Sequence, residues 1–384
     1  MIKSLCCAAR GHALAVWLRL ALPSLLRSDP LGGQTRSVPR NTIFSNLDNY
    51  IKYIPYQIMR TITVREAICE AMSEEMRKDE KVFLLGEEVA QYNGAYKCSQ
   101  GMWKEFGDKR VIDTPITEYG FAGLAIGASY KGLRPIVEFM TFNFAMQAID
   151  HLINSAAKGR YMSGGKIGCP VVFRGANGIS RAVAAQHSQS FAPWYANVPG
   201  LLVVAPYTAQ DMKGLLKSSI INDNPVVFLE NELLYGEKME IDDDADEYIE
   251  IGKARKVQEG DDITIISYSY SMKATTEAVK RLEEQGVSVD FIDLRTLRPL
   301  DTDMIFESVQ KTGRVLIVED CWKFAGIASE IIAEVNEHCF DYLDCEPRRV
   351  SLVDVPLPYS PALERASLVK AEDIVQNALE ICNR

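Results

Sequence analysis

The stretch that decides the fold opens with Pro135-Ile-Val-Glu-Phe139. It continues through Asn143-Phe-Ala-Met-Gln-Ala-Ile-Asp150-His-Leu-Ile-Asn-Ser-Ala-Ala-Lys158 and closes on Val171-Val-Phe-Arg174. A short apolar run, a stretch of helical length and a second apolar run form the pattern of strand, crossover helix and parallel strand. Neither run alternates apolar with polar residues, so both strands are predicted to be buried on both faces. The same reading extends outward to strands at 82–85, 202–205 and 226–230 and to helices at 64–77, 120–131 and 209–221. Farther on, strands are predicted at 263–268, 288–294, 315–319 and 349–355, with helices at 271–285, 304–311, 325–338 and 371–382. The expected fold class is α/β, with two open, mostly parallel sheets covered by helices, one over 58–236 and a smaller one over 258–384. Between them Glu240, Asp242, Asp243, Asp244, Asp246, Glu247 and Glu250 crowd like charge, which predicts a solvated acidic linker over 237–257. The segment lacks the glycine turn and spaced ligands of a calcium loop.

The 384 residues are 47% hydrophobic and 24% charged, which excludes a disordered chain and leaves room for two domains. Residues 1–40 hold six basic groups and one acidic group; the remainder carries 36 basic against 51 acidic, a balance that disfavours nucleic acid as a partner. From Met1 to Ser28 there is no acid, while Lys3, Arg10, Arg19 and Arg27 recur among Leu, Ala and Ser. That is the composition of an organelle-targeting presequence, placed at 1–40; Arg19 interrupts the apolar run that a secretory signal or a membrane span would need. The nine cysteines include no CxxC pair, so neither a zinc site nor a disulfide framework is suggested. Four scattered histidines do not make a metal site by spacing.

Open α/β sheets bind ligands beyond the carboxyl ends of their strands, so chemistry is expected in the loops after Leu85, Phe139 and Arg174. No dinucleotide fingerprint, Walker loop, nucleophile elbow or zincin motif is present. Three constellations remain. Glu118, in Asp113-Thr-Pro-Ile-Thr-Glu118, opens a Gly- and Ala-rich helix whose dipole favours an acid there, although an ordinary first-turn glutamate has the same placement. His187, in Ala184-Ala-Gln-His187-Ser-Gln, follows a polar loop after a strand and could serve as acid or base, or merely cap backbone. The aromatics of Glu138-Phe-Met-Thr-Phe-Asn-Phe144-Ala-Met-Gln147 suit a cofactor cradle or a plain core. The small residues Gly120, Gly123 and Gly127 admit a close neighbour on the helix after Glu118, whether a sheet or a second chain.

Together with Gly86-Glu-Glu-Val-Ala-Gln-Tyr-Asn-Gly-Ala-Tyr-Lys97 and Asp293-Leu-Arg-Thr-Leu-Arg-Pro299, these motifs closely resemble the β subunits of pyruvate dehydrogenase. Members of that family form the thiamine-diphosphate-dependent first component of a larger complex. The resemblance runs from about Ile58 to the carboxyl end. It implies a transketolase-like pyrimidine-binding domain, a transketolase-type carboxyl-terminal domain and an assembly of two α and two β chains in the mitochondrial matrix. By the same resemblance Glu118 hydrogen-bonds the aminopyrimidine of thiamine diphosphate, Phe144 stacks on it, and Gln147 lies beside it. His187 then donates a proton or orients groups near pyruvate and the lipoyl sulfur of the dihydrolipoyl acetyltransferase. The chain lacks the Gly-Asp-Gly segment, followed some 30 residues later by paired Asn, that in this family holds magnesium and diphosphate. That segment belongs to the α subunit, so the β chain alone is expected to be inactive.

A potassium ion is a further implication, on a loop matching Val171, Ser219, Ile220, Asn222 and Asn224, mostly through carbonyl oxygens; a loop with no ion accounts for the same residues. Two other functions are consistent with the fold: the β subunit of a branched-chain 2-oxoacid dehydrogenase, which shares cofactor and partners, and a noncatalytic assembly subunit. Wording closer to the pyruvate enzymes disfavours the first. Retention of Glu118 and His187 disfavours the second.

Overall fold

A computed structural model describes residues 59–242 and 248–383; the expected presequence lies outside the described residues. The first sheet has seven strands in the order β12-β6-β7-β5-β4-β2-β3. Its strands are β2 (Val82–Gly86), β3 (Val111–Asp113), β4 (Arg134–Thr141), β5 (Val172–Ala176), β6 (Leu202–Val204), β7 (Val226–Glu230) and β12 (Thr296–Arg298). All neighbours are parallel except β12, which runs antiparallel to β6. β2, β5 and β7 are buried at every residue, as continuous apolar runs covered on both faces require.

The second sheet is five-stranded, in the order β14-β13-β10-β11-β9, with β9 (Arg255–Gln258), β10 (Ile263–Ser267), β11 (Val289–Asp293), β13 (Val315–Trp322) and β14 (Arg348–Leu352). Here only the edge strand β9 is antiparallel. The helix Val64–Lys78 begins at a capping box between Thr63 and Glu66, and Ala209–Ile221 begins where Thr208 accepts from Asp211 N, so local sequence sets both starts. No helix among the described residues is long and apolar enough to cross a membrane.

Two expectations are corrected. The segment 143–158 is not one helix. It is divided into a helical turn Phe142–Ala145, a 3-10 turn Met146–Ala148, a π-helical stretch His151–Ala156 and a helix Ala157–Met162. Its packing on the helix Glu118–Ser129 accompanies the change of pitch: His151 lies against Tyr119, with ring centroids 4.1 Å apart, and fills the space that a Cβ on Gly123 would need.

The acidic stretch is not wholly solvated either. Lys238–Asp242 forms β8, paired with β1 (Met59–Thr63), with Ile241 buried. Alternation of Met239 and Ile241 with charged residues gives the strand one apolar face, which the charge count concealed. Tyr248 then donates to Glu75, and Ala254 N donates to Asp301. Asp243, Asp244, Asp246 and Glu247 lie outside the described residues.

The strand expected over 288–294 is present as β11, and the motif Asp293–Pro299 carries the chain onward from it. The chain turns at Arg295, in the left-handed region at φ +56°, and β12 joins the first sheet. Arg295 reaches Asp211 Oδ1 at 3.0 Å, while Arg255 pairs with both Asp211 and Asp293. Residues 60–241 and 248–383 thus fall within one compact unit.

Candidate active site

The carboxyl ends of β2, β4, β5 and β7 meet around one set of loops. Beneath them lies a buried ion cluster. Arg174 on β5 donates from Nε and Nη2 to the two oxygens of Glu230 on β7, at 2.6 and 2.5 Å, and from Nη1 to Glu138 on β4. Tyr235 adds a donor to Glu230 at 2.7 Å. Arg174 is 1% exposed and Glu230 0%. Burial pushes the Glu138 carboxyl above the ordinary range, and the adjacent guanidinium pulls it back. The cluster ties together the three strands from which Phe144, His187 and Glu232 follow; Glu232 accepts from Tyr96 Oη and from Ser180 Oγ, on the loop that carries His187.

Glu118 is the first residue of the helix Glu118–Ser129, where unpaired backbone N–H groups favour a negative charge. An ordinary first-turn glutamate would sit in water, yet Glu118 is 4% exposed and has no ion pair or side-chain hydrogen bond among the described residues. Glu87, immediately after β2, is also buried, and its Oε1 has no partner among the described residues. Burial raises the Glu87 carboxyl above its usual range, with the Glu118 charge adding to the shift. Thr114 Oγ1, in the loop that leads to Glu118, is likewise buried and without a partner among the described residues. Leaving such groups unpaired costs on the order of 1–3 kcal/mol each, a cost that a polar ligand reaching them would offset.

Phe144 and His187, 43 positions apart, come together edge to face with centroids 5.3 Å apart. The segment 142–148 that carries Phe144 packs against the helix that Glu118 opens. Asn143, buried beside Phe144, accepts from Gln189 N and Nε2, two residues beyond His187. His187 is exposed and Phe144 half-buried. Gln147 is exposed on the 3-10 turn, without a side-chain hydrogen bond among the described residues. Glu87 and the Asn143–Gln189 lock escaped sequence reasoning. Glu87 had a legible signal as an acid directly after a buried strand, but the lock depends on a tertiary contact.

The residues of the expected potassium loop also gather, below the opposite strand ends. The carbonyls of Ile220 and Asn222 accept from Arg134 Nη1 at 3.2 and 3.1 Å, and Asn222 Oδ1 accepts from Asn224 N. Val171 O accepts from Val226 N, and Ser219 O from Asn222 N. A guanidinium therefore already engages two of the five positions.

Residues 60–238 match the family described as transketolase, pyrimidine binding domain, and 252–374 the transketolase C-terminal domain. A solved split-gene transketolase, an inactive β4 tetramer, shares the fold at a TM-score of 0.70 and 22% identity, over 84% of this chain and 98% of that one. The class is thus a two-domain transketolase-like α/β protein. The pyruvate dehydrogenase E1 component subunit beta of Rickettsia bellii is 56% identical over 321 residues, 84% of this chain and 98% of the relative. The mitochondrial counterpart of Caenorhabditis elegans is 58% identical over 320 residues, 82% of this chain and 91% of the relative. The chain belongs to the family of pyruvate dehydrogenase E1 component β subunits.

Proposed function

We propose that this chain supplies the β-subunit half of a thiamine-diphosphate-dependent pyruvate dehydrogenase site, decarboxylating pyruvate and acetylating the lipoyl group of a dihydrolipoyl acetyltransferase. The observation that carries the proposal is Glu118, buried at a helix start with no side-chain hydrogen bond or ion pair among the described residues and close enough to Glu87 to raise its carboxyl. These residues fit the cofactor's aminopyrimidine: an acid for its ring nitrogen, further buried polar atoms nearby, and the half-buried ring of Phe144 to cover its face, with Gln147 alongside. The cofactor, when bound, supplies the electron sink for decarboxylation. Glu118 holds a proton at the ring nitrogen and so biases the tautomer. His187 faces the open side and delivers a proton to the departing sulfur during acyl transfer.

The pyrimidine-binding role falls to 58–236 and the transketolase-type carboxyl-terminal role to 258–384. Magnesium and the diphosphate fall to the α chain, since the binding segment is missing from this sequence. Two α and two β chains therefore complete the sites, and the isolated β chain has no activity. Potassium binding at Val171, Ser219, Ile220, Asn222 and Asn224 would require carbonyls shared with Arg134. Residues 1–40 direct the chain to the mitochondrial matrix; a reporter carrying them that stays in the cytosol refutes this.

The functional test is Glu118→Gln in the assembled enzyme. A rate loss of about 10²–10⁴ is expected, with assembly intact. Unchanged hydrogen–deuterium exchange at the cofactor's thiazolium carbon refutes the role of Glu118. A substrate panel on the parent enzyme should favour pyruvate over branched-chain 2-oxoacids.

A further inference from the structure

We propose that Glu364, in the carboxyl-terminal domain, is a positioning residue for His187. The inference rests on the reading of His187 given above. The loop over 177–191 leaves the end of β5 and is tied at its base. Asn231 Nδ2 donates to the carbonyls of Asn177 and Ile179, Phe191 N donates to Asn177 Oδ1 at 2.8 Å, and Gly178 N donates to Gln189 O. Between these ties the chain runs outward, and two of its residues, Ala182 and Ala184, stand in the left-handed region at φ +54° and +64°. Neither is glycine, so neither would stay there unaided. A turn closed by His187 N on Ala184 O, at 3.2 Å, follows directly and delivers the imidazole to Phe144.

The outer part of this loop is held from the other domain. Ala182 N donates to Glu364 Oε1 at 2.9 Å, across 182 positions of sequence. Glu364 is 7% exposed and lies in the short helix Pro361–Ser367, so its oxygen is both fixed and shielded. The helix is itself anchored, since Val353 N donates to Ser367 O and Trp322 Nε1 donates to Val355 O. Ile179, near the loop's base, packs in one apolar cluster with Leu352 and Leu357 of the carboxyl-terminal domain. The domain that carries none of the proposed cofactor contacts thus sets the backbone conformation three to five residues before His187. Without the Glu364 oxygen, Ala182 N–H is left unpaired and the left-handed turn relaxes, carrying His187 away from the Phe144 edge.

The experiment uses the assembled enzyme and compares Glu364→Ala, Glu364→Gln, His187→Ala and the Glu364→Ala/His187→Ala double variant. Each is assayed for decarboxylation with an artificial electron acceptor and for overall activity with the lipoyl partner. Glu364→Ala is expected to lose about tenfold in kcat in whichever assay His187→Ala impairs, with the KM for thiamine diphosphate unchanged. Glu364→Gln, whose amide oxygen still accepts from Ala182 N, restores most of that loss. In the double variant, loss of Glu364 adds no more than about twofold to loss of His187. Parental rates in Glu364→Ala alongside an impaired His187→Ala overturn the inference while leaving His187 in place, and so do losses that multiply in the double variant. Parental rates in His187→Ala overturn the reading of His187 itself and the inference with it. Should Glu364→Ala fail to assemble, Glu364→Asp, which draws the oxygen back by one methylene, is held to the same outcomes.

Discussion

Arg174→Met keeps the length and apolar bulk of the side chain at the centre of the ion cluster and removes its charge. Glu138 and Glu230 are then stranded in a buried core, with Tyr235 as the one side-chain donor left to Glu230 among the described residues. Breaking a buried pair by deleting one partner costs about 3–5 kcal/mol, because a charge stays behind without compensation. Glu138 can escape by taking a proton. From an ordinary value of 4.5, neutralisation at pH 7 costs about 3 kcal/mol, within the same range. At pH 5 that cost falls below about 1 kcal/mol, so the variant should recover about 2 kcal/mol relative to the parent. The sign follows from burial, which raises the folded carboxyl above its unfolded value once the guanidinium is gone. The associated stability is then present at low pH and lost as pH rises through the folded value.

Urea unfolding of the assembled enzyme at pH 5 and pH 7 measures both numbers. Activity should decline with stability, because Phe144, His187 and Glu232 follow the three strands that Arg174 joins. A deficit below about 1 kcal/mol at pH 7, or one that grows on acidification, refutes the account. Adding Glu138→Gln and Glu230→Gln to Arg174→Met should remove most of the pH dependence.

Asp320 is buried with Oδ2 unpaired among the described residues, and burial together with Glu319 pushes its carboxyl from 3.8 up to about 7. Its stabilising contribution is full below about pH 4 and lost as pH rises through 7, so Asp320→Asn should flatten the fall in Tm between pH 5.5 and 8; an unchanged slope counts against this. Gly200 sits at φ +100°, where a Cβ would lie 2.1 Å from Ala157 O. Gly200→Ala should therefore destabilise by more than about 2 kcal/mol in thermal unfolding, and a Tm within 1 °C of the parent would contradict the clash.

Much of the fold was legible because it is written locally. Val226–Leu229 and Val82–Gly86 are apolar without interruption, and a strand followed by a helix-length segment and another strand restricts the sheet to parallel pairing. The candidate site was legible as types and places: an acid opening a helix, a histidine in a loop after a strand, aromatics leading into a helix. The acidic stretch misled because net charge outweighed a five-residue alternation, and Ile241 is buried nonetheless.

Other features depend on partners far away in sequence, and periodicity carries no record of those. Three residues of β12 join the first sheet because Arg295 finds Asp211 across 84 positions. The predicted helix through 143–158 changes pitch where it packs on the helix that Glu118 opens, with His151 lying over Gly123. Glu118 reads as an ordinary first-turn acid until burial and the unpaired Glu87 single it out. Sequence by itself determined most of the strands and helices and the residue types of the candidate groups, since these follow from each residue and its near neighbours. Tertiary structure alone decided which of those groups meet, which charges are buried together and which domain holds the His187 loop, because these depend on packing between segments whose separation along the chain sets no local signal.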